Sequence, residues 1–336
     1  MHRGRGLRLG VLVAVGVALA CWAAAAEAEL GGTVTHTEPA GALVMPFDVT
    51  SGKASFEEVI RSGATQVPGS IATHWAYWAA DCSHLADVVI CLTPNDTIVV
   101  DPTALQNVVQ GTGETVGAGP TVDLSGSRGM LTVTAYQTDN GPQGHDCRIA
   151  SPLTPLNNVL VGSWTIANTK TNAGYGGDAI GFTTNGVFPD PAILADGGLR
   201  IPTLDPESLT DSQVIVIPVK FPGGNGQYTN TELGPLSKVT CDNAFVDNLE
   251  NSSSLPNVTF KCVGFNPIAT LAGQTGGDPP IIPPTFNLTS SGYVHFRNCR
   301  TSKGILGSKK FIFAFHTQAV GPFGTVVSGK YTNIAE

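Results

Sequence analysis

Along most of the chain, apolar and polar residues alternate with a period of two over short runs, and clusters of Gly, Pro, Asn and Asp separate the runs. The segments "ALVMPFDV" (42–49), "THWAYWAA" (73–80), "MLTVTAYQ" (130–137), "VLVGSWTIAN" (159–168), "QVIVIPVKF" (213–221), "NVTFKCV" (257–263), "GYVHFRN" (292–298) and "KKFIFAFHTQ" (309–318) all read this way. Successive side chains of a strand point to opposite faces, so this period predicts half-buried β-strands, and many of them at short spacing predict a sandwich or barrel. Helical pattern is scarce. "ASFEEVIRSG" fits either one turn-rich helix or an irregular strand. "DPTALQNVV" predicts a short helix capped by Asp101 with Pro102 at its first position.

The two halves of the pattern resemble each other. "ALVMPFDV" around Pro46 matches "VIVIPVKF" around Pro218, Cys91 and Cys262 lie 171 residues apart, and Pro94 and Pro267 lie 173 apart. "VDLSGSRGMLTV" parallels "FNLTSSGYVHF" at a separation near 164. The run from Thr183 to Asp211 is rich in Pro, Gly and Asp, lacks alternation, and is long for a loop inside one domain. The expected architecture is therefore all-β: tandem β-sandwich domains, Ig-like or jelly-roll-like, with long loops. Domain 1 covers 29–199 and domain 2 covers 200–336, each large enough for its own core.

Composition changes the picture at the amino end. Arg3, Arg5 and Arg8 precede an apolar run from Leu9, which exits through Ala26 and Ala28. That order is a secretory signal peptide over residues 1–28, expected to be removed. "VALAC" ending at Cys21 loosely resembles a lipoprotein cleavage box, but Ala18 stands where Leu is usual and the apolar run continues past Cys21, so a lipid anchor there is disfavoured. The whole chain carries 18 Lys and Arg against 26 Asp and Glu. Losing the three signal arginines and Glu27 leaves 15 basic and 25 acidic residues, a net charge of −10. An acidic chain lacks the basic face that nucleic acid demands. After the signal, no segment is apolar for the length that a membrane-spanning helix needs.

The remaining cysteines are Cys82, Cys91, Cys147, Cys241, Cys262 and Cys299, an even set that an exported chain is expected to join as three disulfides. In "DCSHLADVVICLTPNDTIVVD" (81–101), Asp81, Asp87 and Asp96 read as turn residues, with Cys82 and Cys91 flanking the first turn and able to staple it. By analogy Cys241 would pair with Cys262 and Cys147 with Cys299; the rival scheme links Cys82 or Cys91 to Cys147. A zinc site at Cys82, His84 and Cys91 lacks the paired spacing and the fourth ligand of structural zinc, so no metal is assigned. "HWAYWAADCSHLADVVICLTPNDTIVVD", "LSGSRGMLTVTAY" and "NVLVGSWTIANTKTNAGYGGDAIGF" together resemble exported β-rich proteins of Gram-negative bacteria that carry an "LTPNDT"-type turn. The resemblance covers mainly residues 40–182. It implies an exported β-fold, and it brings no activity and no catalytic residue.

Candidate chemistry is thin. No G-x-S-x-G elbow appears, and Ser127 and His295 are unremarkable loop and strand polar residues in sequence. Glu57 and Glu58 are adjacent, which on a strand sends them to opposite faces, and they read as solvated surface. "YQTDNGPQGHDC" gathers Asp139, Asn140 and Asp146, oxygen ligands of the kind calcium takes, although Asn-Gly is itself a hairpin signal. Trp75 and Tyr77 share one strand face; large aromatics in such strands more often belong to the core, and they form an aromatic binding strip only if that face is exposed. "TNAGYGGDAIGF" (171–182) is glycine-rich without a phosphate-loop setting and reads as a tight turn or bulge. The expectation is a non-enzymatic cell-surface or extracellular structural or adhesion protein, either periplasmic or released. Its expected partners are copies of itself or surface glycans and proteins. A secreted carbohydrate- or ligand-binding module and a secreted hydrolase are the alternatives.

Overall fold

In the computed structural model the described residues are 39–62, 69–105, 122–138, 149, 154–156, 158–170, 173–182, 198–203, 213–220, 234–235, 237–247, 252–267, 292–300, 310–320 and 323–333. The expected signal segment lies outside them. They are almost entirely antiparallel strands, as the period-two pattern predicts.

The first nine strands are β1 (Ala42–Asp48), β2 (Lys53–Arg61), β3 (Ile71–Ala79), β4 (His84–Leu92), β5 (Thr97–Val100), β6 (Arg128–Gln137), β7 (Leu160–Asn168), β8 (Ala173–Asp178) and β9 (Ile180–Phe182). They form two sheets, in the orders β4-β3-β6-β1-β9 and β5-β2-β7-β8. "ASFEEVIRSG" thus resolves as strand β2. "DPTA" makes only a 3-10 turn, Pro102–Ala104, with the Asp101 carboxylate accepting from Thr103 N at 2.8 Å. The "LTPNDT" turn joins β4 to β5: Asn95 takes φ +68°, and the Asp96 carboxylate accepts from Thr93 N and Thr93 Oγ1, both at 2.6 Å.

The second nine strands are β10 (Gly198–Thr203), β11 (Gln213–Lys220), β12 (Gly234–Pro235), β13 (Val239–Asp247), β14 (Ser252–Phe260), β15 (Gly264–Pro267), β16 (Gly292–Arg300), β17 (Lys310–Val320) and β18 (Phe323–Asn333). Here the sheets run β10-β16-β13-β14 and β12-β11-β17-β18, with β15 also paired to β11. Among the described strands, no pairing crosses from the first nine to the second nine. The pairing map repeats: β14-β13-β16-β10 copies β4-β3-β6-β1, and β15-β11-β17-β18 copies β5-β2-β7-β8. Residues Thr35–Glu336 nevertheless gather into one compact unit.

The strand orders do not follow the sequence landmarks at every point. In strand order β10 takes the place of β1 and β11 that of β2: Pro46 pairs with Met130 and Pro202 of "GLRIPT" with Tyr293, whereas Pro218 lies in β11 opposite Ile312. The stretch expected to be a loop between domains therefore contains a strand, β10. Proline does not exclude a strand that has a neighbour on only one side, and β10 ends its sheet among the described strands.

Core residues come from both sheets of the first half. Phe47 meets Tyr77 edge-on at 5.3 Å, and Trp164 meets Tyr175 at 6.3 Å. β1 is buried at every position and β3 at its first seven, so these strands are covered on both faces. On the second face of β3, Ala72 packs with Val89, Tyr136 and Ile149, while the Trp78 ring lies beside Gly234 of β12.

Candidate functional site

Strand β2 carries the least expected chemistry. Its inward positions are Ser55, Glu57, Val59 and Arg61, all buried, while Phe56 on the outward face is 40% exposed. Pairing of Glu57 with Trp164 decides this: a shift of one residue would keep Glu57 in water only by expelling the indole from the core. The adjacent pair Glu57 and Glu58 is therefore not solvated surface as expected. Glu58 stays on the outward side and accepts from Ser163 Oγ at 2.8 Å, while Glu57 is sealed between the sheets.

Ser55 Oγ donates to Glu57 Oε1 at 2.6 Å, and the second oxygen, Oε2, has no hydrogen-bond partner among the described residues. Burial drives the Glu57 carboxyl up to about 8, against the lowering effect of Ser55, with nearby Asp101 adding to the rise. Tyr77 comes in from β3, its hydroxyl pushed well above the usual phenol range by burial and by Glu57. The Tyr77 hydroxyl makes no hydrogen bond of good geometry, so its influence on Glu57 is one of proximity. At neutral pH this is a protonated acid beside a phenol, both shut away from solvent. At the end of β2, the Arg61 guanidinium donates from Nη1 to Leu92 O at 2.8 Å and to Gly69 O, tying β2 to the chain on either side of β3 and β4. Burial lowers the Arg61 pKa and Asp96 raises it.

A second cluster lies on the β3–β4 hairpin. Asp87 Oδ1 sits 3.0 Å from His84 Nε2 and 3.4 Å from His74 Nε2. Asp87, expected in a turn, stands instead within strand β4 opposite Ala76, and its carboxylate faces the two imidazoles. Burial holds His74 below its usual range, with Asp87 opposing and His84 reinforcing. His84 also meets the Trp78 ring edge-on at 4.9 Å. Asp81 does cap its turn, accepting from Ser83 N at 2.9 Å and from Ser83 Oγ at 2.6 Å.

Trp75 and Tyr77 are not a binding strip. Both are fully buried, because their shared face is the one that packs against the β2 sheet, and Trp75 Nε1 spends its donor on Thr73 Oγ1 at 2.8 Å. Asp139, Asn140 and Asp146, the calcium candidates, lie outside the described residues. Among the described residues, no group of three His, Cys, Asp or Glu side chains is placed to hold a metal ion.

The disulfides differ from the expected pairing. Cys82 bonds Cys262 and Cys241 bonds Cys299. Cys91 is also disulfide-bonded, and Cys147 lies outside the described residues. Cys82 and Cys91 do not staple the turn, because Cys82 stands at its tip while Cys91, opposite Ala72, is near the far end of β4, on the order of 20 Å away at about 3.3 Å per residue. Cys241 reaches Cys299 because β13 and β16 are neighbours, with a bulge between Thr240 and Asp242 at that point. With both cysteines oxidised, neither is a thiolate ligand for the zinc triad first considered.

No protein-family model matches the chain, and no curated protein does. Among solved structures, a glycosyl hydrolase family 2 member from Bacteroides cellulosilyticus aligns over 91% of this chain and 29% of its own at 11% identity, with a TM-score of 0.16. A likeness that shallow carries no argument.

Proposed function

We propose that the chain is an exported, non-enzymatic protein acting in cell-surface or extracellular structure or adhesion, built as two copies of one two-sheet unit and able to associate with further copies of itself. One observation carries the reading. Phe56 and Val99, the large apolar side chains exposed at 40% and 59%, lie diagonally across one another on the outward face of β2 and β5, the terminal strand pair of their sheet. A large apolar side chain is normally withdrawn from such a position, and an apolar sheet border is where strand addition or stacking of a second copy begins. Disulfides within the fold support a setting outside the reducing cytoplasm. Among the described residues, no helix is long and apolar enough to cross a membrane.

Light scattering and electron microscopy over a concentration series of the oxidised full chain test this. The expected result is mass that grows with concentration, and Phe56→Ser with Val99→Ser holding the protein monomeric while leaving its thermal midpoint within a few degrees, as surface substitutions do. An inert monomer at all concentrations overturns self-association.

A further inference from the structure

The Cys82–Cys262 bridge spans 180 residues of sequence and joins the tip of the β3–β4 hairpin to the bend between β14 and β15. Turn chemistry alone does not explain a cysteine at either end. Cys82 N donates to Ala79 O at 3.0 Å, and Ala79 N to Ser83 O at 2.8 Å, closing a tight hairpin in which Cys82 takes φ +72°. Cys262 takes φ +48° in its own bend. Glycine or asparagine is the ordinary occupant of such left-handed positions, so each turn pays conformational energy to present a cysteine to the other.

The surroundings of the bridge are also poised. Trp78, at the base of the hairpin, is pressed beside Gly234 with its indole N–H buried and without a partner among the described residues. Phe265, three residues after Cys262, lies under the Arg128 guanidinium at 5.2 Å from the ring centroid. Cys82 is partly exposed, whereas Cys241 and Cys299 are 0% and 2% exposed.

We propose that Cys82–Cys262 is a redox-labile clasp between the two halves, opened by an external dithiol while Cys241–Cys299 stays closed, and that its opening lets the β14–β15 bend leave the hairpin and hydrates Trp78. A thiolate of the dithiol attacks Sγ of Cys82, the more exposed residue of the pair, and Cys262 departs as a thiolate that takes up a proton. The second thiolate of the reductant then attacks the mixed disulfide. This frees Cys82, which is protonated in turn, and leaves the reductant as its own disulfide, so two electrons pass from dithiol to bridge. The left-handed turns at Cys82 and Cys262 make the closed arrangement dependent on the bridge. The clasp does not depend on any adhesive role.

The test is timed reduction of the native full chain with dithiothreitol, without denaturant, followed by alkylation and peptide mass spectrometry, with hydrogen exchange measured alongside. Cys82 and Cys262 should label at least tenfold faster than Cys241 and Cys299, and exchange should rise around Trp78 and Phe265 while the β2–β7 ladder stays protected. The double variant Cys82→Gly with Cys262→Gly keeps both left-handed turns and removes only the bridge, so it should fold and reproduce the exchange pattern of the reduced protein. Labelling of all four cysteines together overturns the proposal. So does an unchanged exchange pattern around Trp78 in both the reduced protein and the double variant.

Discussion

Burial holds the Glu57 carboxyl at about 8, against an ordinary value of 4.5. The folded state therefore keeps a proton that the unfolded chain releases, and its stability contribution is full below about pH 4.5 and is lost as pH rises through 8. The difference of roughly 3.5 pKa units corresponds to a few kcal/mol. Thermal unfolding of the wild type should weaken between pH 5 and 8, while Glu57→Gln, neutral throughout and the same shape, should flatten that slope and be the more stable protein at pH 8. Parallel pH profiles for the two proteins would show that Glu57 is ionised in the fold. Alternation in "KASFEEVIR" is visible in the sequence, but both of its faces mix polar and apolar residues. Only the partner strand, by placing Trp164 inward, decides which glutamate is buried.

At the scale of elements, the hairpins are set by local chemistry and the sheets by close approach. Gly129 of β6 faces the Trp78 carbonyl so closely that a Cβ would collide with backbone, which no rotamer relieves. Gly129→Ala should therefore force β6 away from β3 and cost about 2 kcal/mol or more, read as a lower denaturant midpoint with an unchanged m-value. Asp81 and Asp101 were legible because Asp-x-Ser and Asp-x-Thr pairs act within three residues, each accepting from the backbone N–H two residues on; Asp123, not singled out in the sequence, does the same. Asp87 was not legible, since its imidazole partners include His74, brought close only by hairpin register. Strand β10 was missed for a related reason. Its proline and flanking glycines read as loop, and its pairing partner β16 lies some 90 residues downstream.

Across the whole molecule, the bridges act on the unfolded chain as much as on the folded one. Cys241–Cys299 closes a loop of 58 residues, so Cys241→Ala with Cys299→Ala should lose about 4 kcal/mol by the loop-entropy relation, measured by denaturant unfolding against the intact protein. A loss under about 1 kcal/mol would mean that the unfolded chain already holds β13 and β16 together. The sequence alone determined the all-β class, the positions of most strands and most of the turn residues, because strand period and turn preference act over a few residues, and its even cysteine count pointed to cross-links. The near-constant spacing of landmarks set Pro46 against Pro218, whereas the strand order sets β1 in the place of β10, which carries Pro202. Only the tertiary structure decided which cysteines meet, which carboxylate is buried, and that Trp75 and Tyr77 belong to the core. Each of these depends on which strands become neighbours and on what covers a sheet's second face, and alternation along one strand does not encode either.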